Sequence, residues 1–245
     1  MTKSPSSTRI ALLLTIPKLV LAGIENRPGN VDDAYVMDKG SAYVALGYAY
    51  ARYPDSTNEK DIPVNAGYGL TESLEVTLDL PYTRTFPTEG PSEEGLGDLA
   101  IRPEWAAVAE TESIPQISLA LTVKFDTATH GVGSGTTDYG AFMNASKRLG
   151  KITVNTNIGY NFREEASDST FVGASLDYKV TDTLSLISEI WAEVPTKADI
   201  HQTTEILAGA TYDLSDGITL DMGIGTGLSS DDIDVRYTAG VTYSF

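Results

Sequence analysis

Two histidines, His130 and His201, and a set of charges on alternating segments are the residues here with chemistry to offer. A histidine beside a serine and a carboxylate is the raw material of acyl transfer, with imidazole as base and hydroxyl as nucleophile. His130 lies near Ser134, Thr136 and Asp138 in sequence. Spacing alone does not build a triad, because geometry defines one. Both histidines fall in loop-like stretches, where a solvated side chain is the simpler reading. No metal site is expected, since two distant histidines and scattered acids lack ligand spacing. The pairs Asp32-Asp33 and Asp231-Asp232 would at most attract Ca²⁺ weakly. Gly131, Gly133 and Gly135 resemble a phosphate loop but lack its Lys-Ser/Thr and its helix. There is no cysteine, hence no thiol nucleophile, disulfide or zinc finger. No cofactor is implied.

The charges make sense only once the elements that carry them are found. From residue 41 onward the sequence has period two, not the helical period. In the last segment Ile233, Val235, Tyr237, Ala239, Val241, Tyr243 and Phe245 alternate with Asp234, Arg236, Thr238, Gly240, Thr242 and Ser244. Successive strand side chains point to opposite faces, so one face is apolar and the other polar or small. The same holds for 74–82, 117–126, 152–162 and 218–225. About twelve such segments recur, each near the ten residues that a tilted membrane strand needs.

The connections alternate as well. Those near 70–73, 110–113, 149–150, 181–182 and 215–217 are tight. Those near 52–60, 83–97, 127–137, 163–169, 195–202 and 229–232 are mostly longer and rich in Gly, Pro, Ser and acids. A bacterial outer-membrane barrel has short periplasmic turns and longer extracellular loops. The expected fold is therefore an all-β, antiparallel up-and-down transmembrane barrel of about twelve strands over residues 41–245. Pro63 and Pro81 are expected near strand ends and Pro103 at a bulge, because proline removes a ladder donor.

Composition agrees. Hydrophobic residues make up 41% and mean hydropathy is -0.11, too polar for a helical membrane protein but suited to strands that show lipid every second residue. The net charge of -17 disfavours nucleic acid as a partner. Residues 1–22 read as a signal peptide: Lys3 and Arg9 precede the apolar run Ile10–Ile16, and Val20-Leu21-Ala22 fits a cleavage site. Cleavage there removes Lys3, Arg9 and Lys18 and no acid, taking the charge from -17 to -20. Residues 23–40 read as a polar periplasmic lead-in.

Four stretches carry a family resemblance: DDAYVMDKG at 32–40, IPVNAGYGLTESLEVTLDLPY at 62–82, GLGDLAIRP at 95–103 and KFDTATHGVGSGTTDY at 124–139. Together they resemble the outer-membrane proteins named after the meta-pathway of phenol degradation, over nearly the whole mature chain. Phe125-Asp126-Thr127 departs from the family's usual Pro-x-Gly-Asp. The resemblance implies a barrel that passes aromatic or other hydrophobic compounds. It implies no catalytic residues.

The polar face of such a barrel lines its lumen. On that face the alignment across turns puts Arg102 opposite Lys124 and Asp79 near Arg102, with Glu104 beside them. Glu189, Trp191, Glu193 and Glu205 take the same phase. The expectation is a basic patch facing an acidic, Trp-bearing one, with a field between them that orients polar solutes. The simpler alternative is a set of structural ion pairs. Trp191 is a candidate stacking surface or a packing residue. Trp105 falls in the lipid-facing phase. Tyr48, Tyr50, Tyr82, Tyr160, Phe162, Tyr237 and Tyr243 suit interfacial girdles.

The leading functional reading is passive passage of small solutes through the cell outer membrane. Its expected partners are the bilayer, lipopolysaccharide and the insertion machinery, which reads a terminal strand ending in Tyr243 and Phe245. A closed structural or surface-interaction barrel is the alternative. A lipid-modifying enzyme is a third reading, and it requires His130 or His201 beside a serine.

Overall fold

A computed structural model describes residues 28–88 and 90–245. The expected signal peptide lies outside the described residues. No helix forms among them. The strands are β1 (Ala42–Arg52), β2 (Asn58–Thr71), β3 (Leu74–Phe86), β4 (Glu93–Leu96), β5 (Ala100–Val108), β6 (Gln116–Lys124) and β7 (Asp138–Leu149). They continue as β8 (Ile152–Phe162), β9 (Ser169–Lys179), β10 (Leu184–Pro195), β11 (Thr203–Ser215), β12 (Ile218–Gly227) and β13 (Val235–Ser244).

Neighbouring strands pair antiparallel in chain order, except that β5 follows β3 in the ring rather than β4, and β1 pairs with β13, so the sheet closes on itself. β4 and β5 both pair with β3, at its two ends. They are one wall strand broken at Gly97-Asp98-Leu99, so the ring has twelve members, as expected. Ala42 and Phe245 exchange backbone hydrogen bonds of 2.9 Å at the closing seam. Closure leaves no free strand edge in lipid, where unmet backbone groups are costly.

Period two decides which side chains meet lipid. In β6, Leu119 and Leu121 face out while Ser118 and Ala120 are buried inside. In β8, Ile158 faces out between buried Asn157 and inward Gly159. The inner wall carries buried polar residues including Glu75, Thr77, Asn144, Ser146, Asn155 and Ser175. Outward aromatics pair: Tyr50 stacks on Tyr237 at 6.4 Å, and Tyr243 on Phe245 at 5.6 Å.

The prolines behave differently from expectation. Pro63 and Pro81 are not at strand ends; they face each other across β2 and β3. In an antiparallel ladder, such a pair turns both missing N–H positions away from each other. The β1–β2 register skips Gly47 and Tyr48, opposite Pro63 and Ile62, and Pro81 offers its carbonyl to Gly97 at 2.8 Å. Neither lost donor therefore breaks the β2–β3 ladder. Pro103 marks no bulge: the β5–β6 pairing passes residues 102 and 103 without a register change. The bulge falls at Ala106/Val108. The last strand starts at Val235 rather than Ile233, which turns inward and is buried.

Candidate functional site: a plugged lumen

Residues 28–40, read from sequence as part of a polar periplasmic lead-in, run up the lumen. They form no strand. Wall side chains hold them by their backbone N–H groups. Glu75 on β3 accepts from Met37 at 2.6 Å, and Ser146 on β7 accepts from Ala34 at 2.8 Å. Asn157 on β8 accepts from Asp32 at 2.7 Å and donates back to the Asp32 carbonyl at 2.9 Å. Glu189 on β10 accepts from Asn30 and Val31. Pro28 reaches the far wall, where its carbonyl accepts from Thr238 of β13 at 3.4 Å. The segment thus rises from the turn end and crosses to the opposite wall. A twelve-strand ring encloses more space than its own side chains fill, and this segment occupies it.

Glycines make room for it. A Cβ at Gly173 would sit 2.7 Å from the Val31 side chain, and one at Gly209 would sit 2.5 Å from Pro28. At the turn end the Tyr35 hydroxyl donates to Glu110 at 2.7 Å, beneath the Arg148 guanidinium, 3.7 Å from the ring centre. Glu110 also accepts from the Arg148 N–H at 2.9 Å and pairs with Lys147 at 3.2 Å. Burial and Glu110 both push the Tyr35 phenol up, so it remains a donor at physiological pH.

The charged residues expected in the lumen all lie on the inward phase, but their partners differ from the expected row. Arg102 is opposite Thr77, and Lys124 is opposite Ala100. The turn between β5 and β6 is centred one residue earlier than the sequence reading set it, which slides the row by two. Arg102 pairs with Asp32 of the plug at 2.5 Å and with Glu104 at 3.1 Å. Glu104 also accepts from Asn144 at 2.9 Å and from Ser118. Lys124 bridges Asp138 at 2.6 Å and Asp98 at 3.7 Å. Asp79 accepts from Asn65 and stands opposite Ala100 in the β3–β5 register.

On the other wall Glu205 takes a two-point contact from Arg236, at 3.1 and 3.2 Å, and Glu193 pairs with Arg163. Glu189 faces plug amides. Each charge is met locally, which shortens any field between opposite walls.

The aromatic content of the lumen exceeds the single Trp191 singled out from sequence. Trp191 stacks on Phe171 with centroids 5.8 Å apart, and Phe171 meets Phe142 edge-on at 6.3 Å. The Arg102 guanidinium lies 5.5 Å from the Phe142 ring centre. Glycines alternate with these rings: Gly159 is the register partner of both Phe142 and Phe171, and Gly173 that of Trp191. Phe142 and Phe171 each precede another apolar residue, Met143 and Val172, which hides their phase in the sequence. Trp105 is half-exposed on the outer face, as expected.

The loop end is organised around Asp98, in the break between β4 and β5. Its carboxylate accepts from the N–H groups of Thr127 and Ala128, each at 3.0 Å, and of Ser134 at 3.1 Å. Burial alone would raise this carboxyl, but the three N–H bonds and Lys124 outweigh it and hold it below the ordinary range. Ser134, Thr136 and Asp138 belong to this network with Lys124, and none bonds to His130.

His201 does meet a serine and an acid. Yet Ser229 and Asp232 both contact its Nε2, at 3.0 and 2.9 Å. A proton relay needs the nucleophile and the orienting acid on opposite nitrogens of the histidine, and the acid on the Nδ1 side, Asp231, stands 3.9 Å away, beyond hydrogen-bond distance. Asp232 instead accepts from the N–H groups of Thr204 and Ser229, so this cluster staples loops. No group of three metal-ligating side chains occurs among the described residues. Asp32 and Asp232 are taken up in the contacts above.

Solved structures share this architecture. A crystal structure of the COG4313 outer membrane channel from Pseudomonas putida F1 matches with a TM-score of 0.70 at 15% identity, over 87% of this chain and 98% of that one. A KdgM porin matches with a TM-score of 0.61 at 11% identity, over 82% and 99%. The translocator domain of the autotransporter NalP from Neisseria meningitidis matches with a TM-score of 0.58 at 12% identity, over 85% and 89%. At these identities the likeness is one of fold: outer-membrane barrels. No curated protein sequence matches. Residues 25–245 match the model of the family described as "Putative MetA-pathway of phenol degradation", so the chain belongs to that family.

Proposed function

We propose that the protein is an outer-membrane channel for passive passage of small solutes, hydrophobic and aromatic ones among them, and that it opens when residues 28–37 leave the lumen. One observation carries this reading. The plug is held by side-chain acceptors at separate points, not by continuous strand pairing, so it can be released without breaking the barrel. A barrel needed only as a scaffold is served by side chains that meet across the lumen. Here the wall presents glycines and acceptors to a removable chain.

The aromatic row along β7 to β10 supports the choice of solute. The channel fold of the COG4313 and KdgM relatives and the apolar outer belt agree with it. In this reading the bilayer and lipopolysaccharide surround the belt, residues 1–22 direct export, and Tyr243 and Phe245 serve the insertion machinery. We assign no enzymatic activity, because the acid on the free side of His201, Asp231, stands 3.9 Å from Nδ1, too far to hydrogen-bond and orient the ring, while Ser229 and Asp232 share Nε2.

The filled lumen favours a second reading, a closed structural barrel. Planar-bilayer recording of the refolded mature protein under a salt gradient separates the two. Discrete openings with a measurable reversal potential support the channel. Silence from protein shown to be folded, and equal silence after the plug contacts are removed, supports the closed barrel.

A further inference from the structure

The plug residues Val31 and Asp32 sit in the lumen as a bound ligand would. The Asp32 carboxylate contacts the Arg102 guanidinium at 2.5 Å, in a pocket where both side chains are about nine-tenths buried. The neighbouring Val31 side chain fills the space over Gly173, beside the Phe171 ring. The guanidinium starts a row that continues through Phe142 and Phe171 to Trp191. A cation with an aromatic wall beside it is chemistry for a flat, apolar acid.

We propose that Arg102, Phe142, Phe171 and Trp191 form a binding site for aryl carboxylates, and that Val31-Asp32 occupies it as a tethered mimic. A solute carboxylate would replace that of Asp32 on Arg102, like for like. The charge balance is then unchanged, with one cation between the solute and Glu104. Glu104 keeps its own bonds from Ser118 and Asn144 and does not move into the vacated place. The ring of the solute takes the space of Val31, against Phe171. Small residues let it approach: Gly159 and Gly173 leave the rings uncovered by neighbouring side chains. At the end of the row, the Trp191 indole N–H is buried with no acceptor among the described residues, and it suits an oxygen substituent on the ring.

The mimic is covalently attached, so it competes at an effective concentration in the mM range for a short tether. A solute therefore binds weakly unless Asp32 is weakened, and binding displaces the plug. The site and the gate are one device. This inference rests on the channel reading and names the solute class for it.

The test uses the full mature protein in lipid vesicles, with Trp105→Phe so that Trp191 is the only tryptophan. Trp191 fluorescence is titrated with benzoate, toluene and acetate. Saturable quenching by benzoate, and by neither toluene nor acetate over the same range, is expected. Asp32→Asn should tighten benzoate at least about 10-fold by removing the competitor. Arg102→Lys keeps the charge but not the planar fork, and it should weaken benzoate about 10-fold. Equal response to benzoate and toluene, or no change on Asp32→Asn, overturns the proposal. Should Arg102→Lys fail to fold, the Asp32→Asn comparison decides alone. Benzoate flux is measured on the same vesicles. Flux without binding sinks this site and leaves the channel, and binding without flux sinks the channel reading and leaves the site.

Discussion

Glu189 on β10 accepts the N–H of Asn30 with both carboxylate oxygens, each at 2.9 Å, across 159 residues of sequence. The N–H of Val31 adds a further bond at 3.1 Å. A wall carboxylate that spends its acceptors on backbone amides holds a chain by its main chain, whatever side chains the chain carries. Removing it should loosen the plug without disturbing the sheet.

Bonds to a charged acceptor contribute about 1.5–3 kcal/mol each. Glu189→Ala should therefore raise the frequency of channel opening about 10- to 100-fold, and Glu189→Gln, which keeps a neutral acceptor, by less. Single-channel recording at fixed salt gives the order. Wild-type behaviour in the alanine variant would mean that other contacts hold the plug.

Opening should rise with pH through Asp33. This plug residue bonds the Tyr35 N–H at 2.7 Å. Burial, aided by the nearby Glu104, Asp177 and Asp32 carboxylates, pushes its carboxyl from 3.8 up to about 8. A carboxyl raised in the plugged state binds its proton more tightly there than when released into water. Plugging is then fully stable below about pH 4 and weakens as pH climbs towards about 8. Asp33→Asn should flatten that dependence. A wild-type open probability that falls between pH 5 and 8 contradicts this assignment.

Asp98 should control the 127–134 loop. Asp98→Ala removes the acceptor of three backbone N–H groups, so amide hydrogen exchange at Thr127, Ala128 and Ser134 should quicken about 10-fold or more. Its carboxyl lies below the ordinary value of 3.8, so its contribution is present above that pH and is lost only as pH falls through the lower folded value. Exchange that is unchanged in the alanine variant at neutral pH would remove Asp98 from this role.

Gly159→Ala tests the aromatic row. A Cβ there would overlap the Phe142 ring, which must swing away. Overpacking of this kind costs about 1–3 kcal/mol. Urea unfolding from vesicles should show the loss, and Trp191 emission should shift as Phe171 follows Phe142. A stable variant with unaltered emission would mean that the row has slack.

The barrel was legible in the sequence because strand periodicity is local. A charge such as Glu104 beside Trp105 has one phase that water can accept and one that lipid cannot, so each strand orients itself. The short turns at Gly150 and Gly217 demand positive φ, and glycine there marks the hairpin ends before any contact is known. The inward phase of Arg102, Lys124, Glu189, Trp191, Glu193 and Glu205 follows from the same alternation.

Their partners do not. Register passes through every turn, and one residue of error between β5 and β6 moves Lys124 from the row of Arg102 to that of Ala100. Phe142 and Phe171 stayed hidden because an apolar neighbour occupies the other face, so alternation gives them no sign. Residues 28–40 carry no period at all, since their bonds are made by backbone N–H groups that every residue but proline possesses. Sequence alone determined which side chains face lipid and which face the lumen, because that is settled strand by strand. Only closure of the ring decided that Asp32 meets Arg102 and that a peripheral segment becomes a plug, because those contacts join residues whose proximity no local pattern encodes.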